Sequence, residues 1–527
     1  MLILVQMRDR AAYDYVIVGA GAAGAVLAAR LTERPSARVV LLEAGADVRW
    51  ADCPPAMRAA DPIEIIAAAD HARFRWDRLV ATRTPAQPPR PFWRGKGLGG
   101  STAINGMFAV RSLPADHEAW AAAGCPDWSW RGVLPWYRHL EDDLDFPDLP
   151  YHGRGGPYPV WRPPDDGWGV VDRAVRDAAL DAGYGWCQDH NAPTGTGVSP
   201  YAASVRGGIR VSTNDAYLEP ARDRPNLAIV GDALVDRVTI ARGRATGVEY
   251  IRHGRRERVE ADEVVLAAGA VHSPAILLRS GIGPSEHLAT LGIDVARPLP
   301  GVGANLSDHP IVAITLPGPA DRTWLAPSGR HGTCYVRYSS GIGQAGENDM
   351  AVLTLTHPHG DWGPGGAIVG AAVWEPVSRG RLRLASRDPA DDPSVSENML
   401  SDPHDLERMR DGLQRVVDLL DSPALASLFE VRLVGAPNLG FRRLPNRLTN
   451  DDLDRIALET AGDTQHIVGT CRMGDPRDPE SVVDPAGRVI GIDALRVIDA
   501  SVIPACPRAN TVLTVIMLAE KLAASLR

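Results

Sequence analysis

Tyr15-Val-Ile-Val-Gly-Ala-Gly-Ala-Ala-Gly24, followed by an alanine-rich stretch to Leu31 and then Arg38-Val-Val-Leu-Leu-Glu43, decides the fold. The first apolar run reads as a buried strand, the glycines as a turn, the small residues as a helix and the second run as another strand. Together they make a βαβ unit of about 30 residues, the seed of a doubly wound α/β domain. In Gly19-x-Gly21-x-x-Gly24 the glycines permit a tight turn, close approach of backbone to a pyrophosphate, and close packing of helix on strand. The helix N-terminus offers N–H donors and a positive dipole end to the phosphates. Glu43 lies 43 − 24 = 19 residues past the third glycine, where a carboxylate accepts from ribose hydroxyls and repels a 2′-phosphate. A dinucleotide other than NADP is implied; the turn alone does not choose between FAD and NAD.

Working outward, Glu263-Val-Val-Leu-Ala-Ala-Gly269 reads as a buried strand leading through a small-residue turn into a helix over Ser273–Arg279. Leu495-Arg-Val-Ile-Asp499 reads as a strand, and Thr511–Leu526 as a helix with Glu520 and Lys521 on its wet face. Between these blocks the composition shifts. Residues 114–214 are rich in Trp, Pro, Gly and Asp, with a helical patch over Gly169–Ala182. Residues 311–460 carry strand patterns at Gly366–Trp374 and Gly380–Leu384, and a helix over Pro403–Leu420 begun by Asp402 as N-cap. Gly341–Gly346 reads as a loop lying over a pocket. The expected architecture is α/β: a nucleotide-binding domain assembled from residues 12–113, 215–310 and 461–527, with an α+β substrate-facing domain and lid segments formed by 114–214 and 311–460.

The bulk numbers exclude several function classes. A chain of 527 residues with 45% hydrophobic and 23% charged residues is globular and too long for one ordinary core. A formal net charge of −9 argues against nucleic acid as a partner. Cys53, Cys125, Cys187, Cys334, Cys471 and Cys506 form no CxxC pair, which suits reduced structural thiols in a cytoplasmic protein. Met1–Met7 is too short an apolar run for a signal peptide, and no stretch reaches the roughly 20 apolar residues of a transmembrane segment. His357-Pro-His359 lacks the cysteine or acid spacing of a metal site, so no metal is expected. Trp128, Trp130, Trp136 and Tyr137 read as packing residues rather than a sugar platform.

A second glycine-rich segment, Arg94-Gly-Lys-Gly-Leu-Gly-Gly-Ser-Thr-Ala-Ile-Asn-Gly-Met107, either holds a diphosphate or flavin edge or is a tight connection needing positive φ. It resembles the first signature of the glucose–methanol–choline (GMC) oxidoreductases, and Gly269-Ala-Val-His-Ser-Pro-Ala-Ile-Leu-Leu-Arg-Ser-Gly-Ile-Gly283 resembles the second. Further likenesses are Pro300–Pro310, Pro376–Gly380, His466-Ile-Val-Gly-Thr-Cys-Arg-Met-Gly474 and Leu495–Pro504, in family order. The resemblance implies FAD and a discontinuous FAD domain of the Rossmann-like type shared with p-hydroxybenzoate hydroxylase. It places Gly19, Gly21, Gly24, Glu43 and Ala44 on the ADP half of FAD. Gly100, Ser101, Asn105, Gly106 and Met107 then fall near the flavin or diphosphate, Val235 near the adenine, and Asp499, Ala500 and Thr511 near the ribityl and pyrophosphate. Ile104 stands where some members carry a histidine bonded to FAD, so noncovalent binding is expected. His272 and His309, inside the same motifs, read as packing residues, and Arg472 as an anchor of local structure.

The resemblance also assigns the chemistry. On its own, His466 in its semi-apolar stretch reads more readily as a hydrogen-bonded structural histidine. The family motif puts the active-site histidine at this position and its partner at Asn510, which is also a natural cap for the helix from Thr511. Neutral imidazole takes an alcohol proton near pH 7, while an amide donates or accepts but is no base. The implied reaction oxidises an alcohol CH–OH to a carbonyl by hydride transfer to flavin N5. The electron acceptor is a quinone, a carrier or dioxygen. The compact chain, the opening Phe92-Trp-Arg-Gly-Lys-Gly and Leu144–Gly155 are similar to actinobacterial members associated with the peptide-derived cofactor mycofactocin, which favours a dehydrogenase acting on reduced mycofactocin. The competing readings are an oxygen-using oxidase of a small alcohol or sugar, and a flavin-bearing hydroxynitrile lyase.

Overall fold

The computed structural model describes residues 13–61, 64, 71–318, 324, 326–357, 366–436 and 439–526. Met1–Met7 and His359 lie outside these residues. Among the described residues, no helix is long and apolar enough to cross a membrane.

The βαβ unit forms as read, with strands Tyr13–Val18 and Val39–Leu42 flanking the helix Ala22–Leu31. These strands belong to a parallel sheet in the order Leu227–Val230, Val39–Leu42, Tyr13–Val18, the second half of Arg255–Leu266, and Leu495–Val497. The Arg255–Leu266 strand serves two sheets. Its first half pairs antiparallel with Arg244–Arg252, which pairs in turn with Ala233–Ala241; its second half pairs parallel with Tyr13–Val18. Strand order reverses beside Tyr13–Val18, so a crevice opens above the carboxyl ends of Val18 and Leu266, where open α/β sheets take their ligands.

The helix Thr511–Ser525 packs beside Ala22–Leu31. Here one sequence expectation fails, because Glu520 is only 2% exposed and does not lie on a wet face. Arg30 of the neighbouring helix donates to both its oxygens at 2.8 Å, and the Tyr217 hydroxyl donates to it at 2.9 Å. A carboxylate so paired tolerates burial that would otherwise cost several kcal/mol.

The second body is an antiparallel sheet in the order Gly440–Arg443, Leu433–Ala436, Pro310–Pro317, Gly366–Val373, Met350–His357, Cys334–Tyr338 and Gly197–Pro200. Alternation along its strands gives it two different faces. Val312, Val352 and Val369 point into a core with Met409, Leu413 and Val416 of the helix Pro403–Leu420, each burial contributing about 1.5–3 kcal/mol. Their neighbours Ile311, Leu353 and Ile368 point the other way, into the crevice. The helix starts where Asp402 caps it, its carboxylate accepting from the His404 N–H at 2.9 Å. Trp128 and Tyr137 are fully buried packing residues, and Arg472 bonds locally to Asp478. Gly341–Gly346 is irregular as expected but lines no part of the crevice, since Gly346 lies against Arg508 and Glu375.

Candidate active site

Between the two sheets lies a cavity of about 550 Å³. One end is built from the glycine turn. At Gly19, φ is +97° and an added Cβ would sit 2.6 Å from the Ala267 carbonyl oxygen; at Gly24 it would sit 1.8 Å from Gly19 O. Both positions therefore need glycine because of the protein's own packing. Gly21 differs: an added Cβ would meet nothing nearer than the Gly100 Cα at 3.9 Å, so its bare backbone faces the cavity. The Ala22–Leu31 helix that begins there has no side-chain cap, and Ala22 and Ala23 line the cavity, leaving an open anion-binding end.

Glu43 is buried at this end, and three backbone N–H groups reach its carboxylate at 2.8 Å, from Ala20 to one oxygen and from Gly45 and Gly97 to the other. Burial pushes its pKa up, and the three N–H bonds oppose that. The residue thus pins both glycine-rich segments together, a task its spacing alone did not reveal. The oxygen that accepts from Ala20 alone still has lone-pair capacity for a ribose hydroxyl.

The other assigned residues gather along the same cavity. Ala44, Gly100, Ser101, Asn105, Gly106, Met107, Val235, Asp499, Ala500 and Thr511 all line it. In the second glycine segment Gly97, Gly99, Gly100 and Met107 have positive φ, which makes it a tight connection as well as a wall. Asp499 accepts from Gly269 N at 2.8 Å and Ser273 Oγ at 2.6 Å, fixing the start of the helix Gly269–Arg279. His272 also lines the cavity, its ring 3.9 Å from that of Trp76 and its pKa lowered to about 3 by burial.

At the far end stand His466 and Asn510, with His466 Nε2 and Asn510 Nδ2 3.1 Å apart. Asn510 sits at the N-cap of Thr511–Ser525, yet its side chain makes no capping bond. It turns to His466 instead, and its Oδ1 accepts from Tyr201 Oη at 3.2 Å. His309, read from sequence as a packing residue, proves to be a direct partner: its Nδ1 is 2.9 Å from His466 Nδ1. Thr464 Oγ1 is 2.7 Å from the same nitrogen.

This network assigns the tautomers. His309 Nε2 lies 2.9 Å from the Pro507 carbonyl, which only accepts, so His309 carries its proton there and presents a lone pair at Nδ1. His466 must then hold its proton on Nδ1, leaving Nε2 as a lone pair toward Asn510 Nδ2 and the cavity. Burial first, and Arg94 second, lower the His466 pKa to about 3, so the ring is neutral. Around it the walls are apolar and aromatic: Phe108, Leu353, Leu355, Ile368 and Trp374. Phe108 stacks on Tyr201 at 3.7 Å, and Tyr201 on Tyr335 at 4.7 Å. Neither Tyr201 nor Thr464 belongs to a motif that sequence reading singled out.

A dinucleotide-binding crevice facing an apolar chamber with a neutral histidine defines an oxidoreductase site, and comparison with known proteins makes that definite. GMC oxidoreductase family models match residues 13–311 and 376–519. The 5-(hydroxymethyl)furfural oxidase of Methylovorus sp. is 38% identical over 97% of this chain and 98% of its own. Oxygen-dependent choline dehydrogenase 1 of Chromohalobacter salexigens is 34% identical over 98% and 95%. Among solved structures, pyridoxine 4-oxidase from Mesorbium loti superposes with a TM-score of 0.84 at 30% identity, covering 97% of this chain and 99% of that one. The chain belongs to the GMC oxidoreductase family. It is an FAD-dependent oxidoreductase acting on alcohol-type substrates. Its residues fit the cofactor: the Gly21 backbone is bare, the helix above it is uncapped, and both face one cavity.

Proposed function

We propose that this enzyme oxidises a primary alcohol carried on a small planar, mostly apolar body, such as an aryl or furan carbinol, and passes the electrons to dioxygen. The observation that carries this reading is the His466 Nε2 lone pair, 3.1 Å from Asn510 Nδ2 and open to a chamber walled by Phe108, Leu353, Leu355 and Trp374. His466 takes the hydroxyl proton at Nε2. Asn510 Nδ2–H steadies the oxygen as it gains negative charge, and Tyr201, bonded to Asn510 Oδ1, keeps the amide facing that way. FAD supplies the electron sink, accepting hydride at N5 when bound.

In the same reading Gly19, Gly21, Gly24, Glu43, Ala44, Gly100, Ser101, Asn105, Gly106, Met107, Val235, Asp499, Ala500 and Thr511 hold FAD. With Ile104 in place of a linking histidine, the cofactor is held noncovalently. Residues 12–113, 215–310 and 461–527 form the FAD-holding part, while 114–214 and 311–460 face the substrate; the two differently built walls of the cavity support this division. Six unpaired cysteines support a cytoplasmic location.

The acceptor reading departs from the dehydrogenase favoured by sequence. An oxidase and an oxygen-dependent dehydrogenase among the relatives support dioxygen. Of the two segments behind the mycofactocin reading, Leu144–Gly155 lines no part of the cavity, whereas Trp93, Arg94 and Gly95 of the other do. Anaerobic mixing with a panel of aryl, furan, aliphatic and sugar alcohols and reduced mycofactocin, followed by air or a quinone, tests the whole reading. Bleaching of the flavin by aryl or furan alcohols and rapid hydrogen peroxide formation in air are expected. Bleaching by reduced mycofactocin alone, with reoxidation only by a quinone, would replace this reading with the dehydrogenase. A flavin that no alcohol bleaches would leave the lyase.

A further inference from the structure

Beside His466 lies a buried group of charges not used so far, two of whose members, Arg94 and Asp463, also reach the cavity wall. The Asp308 side chain is fully buried, and its Oδ1 accepts from His309 N at 2.7 Å, His466 N at 2.9 Å and Thr464 Oγ1 at 3.2 Å. Its Oδ2 has no hydrogen-bond partner and lies 3.9 Å from Arg94. Asp463 and Glu397 stand close by, Asp463 held by Arg83 at 2.6 Å and Glu397 3.5 Å from the same guanidinium, with neither Glu397 oxygen hydrogen-bonded. Burial and the nearby Asp463 and Asp308 charges hold the Glu397 carboxyl well above the usual range, so it carries a proton, while Asp308 and Asp463 face the Arg94 and Arg83 guanidiniums, with Arg90 close by, in a setting where unbalanced charge is costly.

The base assignment above leaves a problem that this group resolves. An imidazole sealed in an apolar chamber resists becoming a cation, and Arg94 increases that resistance. Unless a negative charge answers it, a proton arriving at Nε2 is unfavourable. We propose that Asp308, acting through the Thr464 hydroxyl, is the counter-charge and proton acceptor that lets His466 work as a base.

The proton transfers themselves need no redox partner. As the substrate O–H bond breaks, its proton goes to His466 Nε2. The Nδ1 proton then moves to Thr464 Oγ1 while the Thr464 hydroxyl proton moves to Asp308 Oδ1, along contacts of 2.7 and 3.2 Å. An imidazolium–carboxylate pair becomes a neutral ring and a neutral acid; the same path in reverse returns the proton to Nε2, from which it leaves with the electrons as dioxygen becomes hydrogen peroxide, and the site is reset. Asp308 is thus a positioning residue: it touches neither substrate nor cofactor.

Burial, and then the nearby Asp463 charge, raise the Asp308 pKa to about 7, partly opposed by Arg94 and the N–H bonds from His466 and His309. Glu397, Arg83 and Cys506 complete the titratable groups around it. Protonation of Asp308 removes the counter-charge, so flavin reduction should slow as the pH falls through about 7.

The inference rests on His466 being the base, and stopped-flow anaerobic reduction of the holoenzyme separates the two claims. Asp308→Asn, whose amide oxygen still accepts the backbone N–H groups, should slow reduction by about tenfold or more at pH ~8.5 and flatten the fall near neutrality. Thr464→Val should do the same, and Thr464→Ser should restore both rate and profile. That pair decides the matter if Asp308→Asn fails to fold. A merely structural Asp308 would alter FAD content or melting temperature and leave the pH profile of the loaded enzyme unchanged, which would overturn the proposal. Wild-type reduction by His466→Ala would instead overturn the base assignment itself.

Discussion

His152 and His466 are both buried, at 1% and 9% exposure, yet their surroundings push them in opposite directions. His152 Nδ1 lies 3.0 Å from Glu141 and 3.1 Å from Asp143, and its Nε2 lies 2.9 Å from Asp189. Arg111 bonds Glu141 and Arg162 bonds Asp143, Asp145 and Asp189, so the carboxylates outnumber the guanidiniums and favour an imidazolium between them. Burial alone would lower the His152 pKa, but the bonds to Asp189 and Glu141 offset it and leave the value raised. The His466 ring hydrogen-bonds only to neutral side chains, Thr464, His309 and Asn510, so nothing offsets its burial and its pKa falls to about 3. Burial does not decide what a histidine is for; the charge of its neighbours does. One ring holds both its protons and ties chain segments together, while the other keeps Nε2 bare, the nitrogen proposed above to take an alcohol's proton.

The sharpest way to break this contrast is to delete each ring in turn. His466→Ala should retain FAD by its visible absorbance but slow anaerobic reduction by about 10²-fold or more, with little change in melting temperature. His152→Gln should do the reverse, destabilising the fold by about 3–5 kcal/mol in thermal or denaturant unfolding and leaving the reduction rate of folded holoenzyme within about twofold. A rate loss in the second variant comparable to the first would erase the distinction.

The pH dependence of stability sharpens it further. His152, with a raised folded pKa, contributes stability fully below its unfolded value of about 6.5 and loses it as pH rises through the folded value. His466, with a depressed pKa, contributes above about 6.5 and loses that as pH falls toward about 3. The stability gap between wild type and His152→Gln should therefore narrow on the alkaline side, by up to ~1.4 kcal/mol per pH unit, as measured by urea unfolding across pH. A gap that widens there would reverse the sign. The smallest expected effect is Tyr201→Phe, which frees Asn510 Oδ1 and should slow reduction about threefold, the worth of one neutral hydrogen bond.

The parts of the molecule legible in sequence are those written locally. Gly19, Gly21 and Gly24 sit between short-period strand and helix patterns, and Asp402 caps the helix beside it, so their geometry follows from neighbours a few residues away. His466 and Asn510 were legible through motif likeness. What stayed hidden comes from long-range contact. His309 meets His466 across 157 residues, Tyr201 meets Asn510 across 309, and Arg30 buries Glu520 across 490. No periodicity encodes such pairs; they exist only once the two sheets close on each other. Glu43 was placed correctly beside the glycine turn, but its grip on Gly97 depends on a segment more than 50 residues downstream.

The glycine end and the aromatic end belong to one continuous chamber, reaching from Glu43 to Leu355. Occupancy must then follow a sequence: until the dinucleotide fills the deep half, an alcohol entering has a floor missing beneath it and few atoms to press against. Apoprotein should accordingly show little grip on alcohols that the holoenzyme retains, so cofactor supply, rather than substrate concentration, sets how much of the protein is ready to bind.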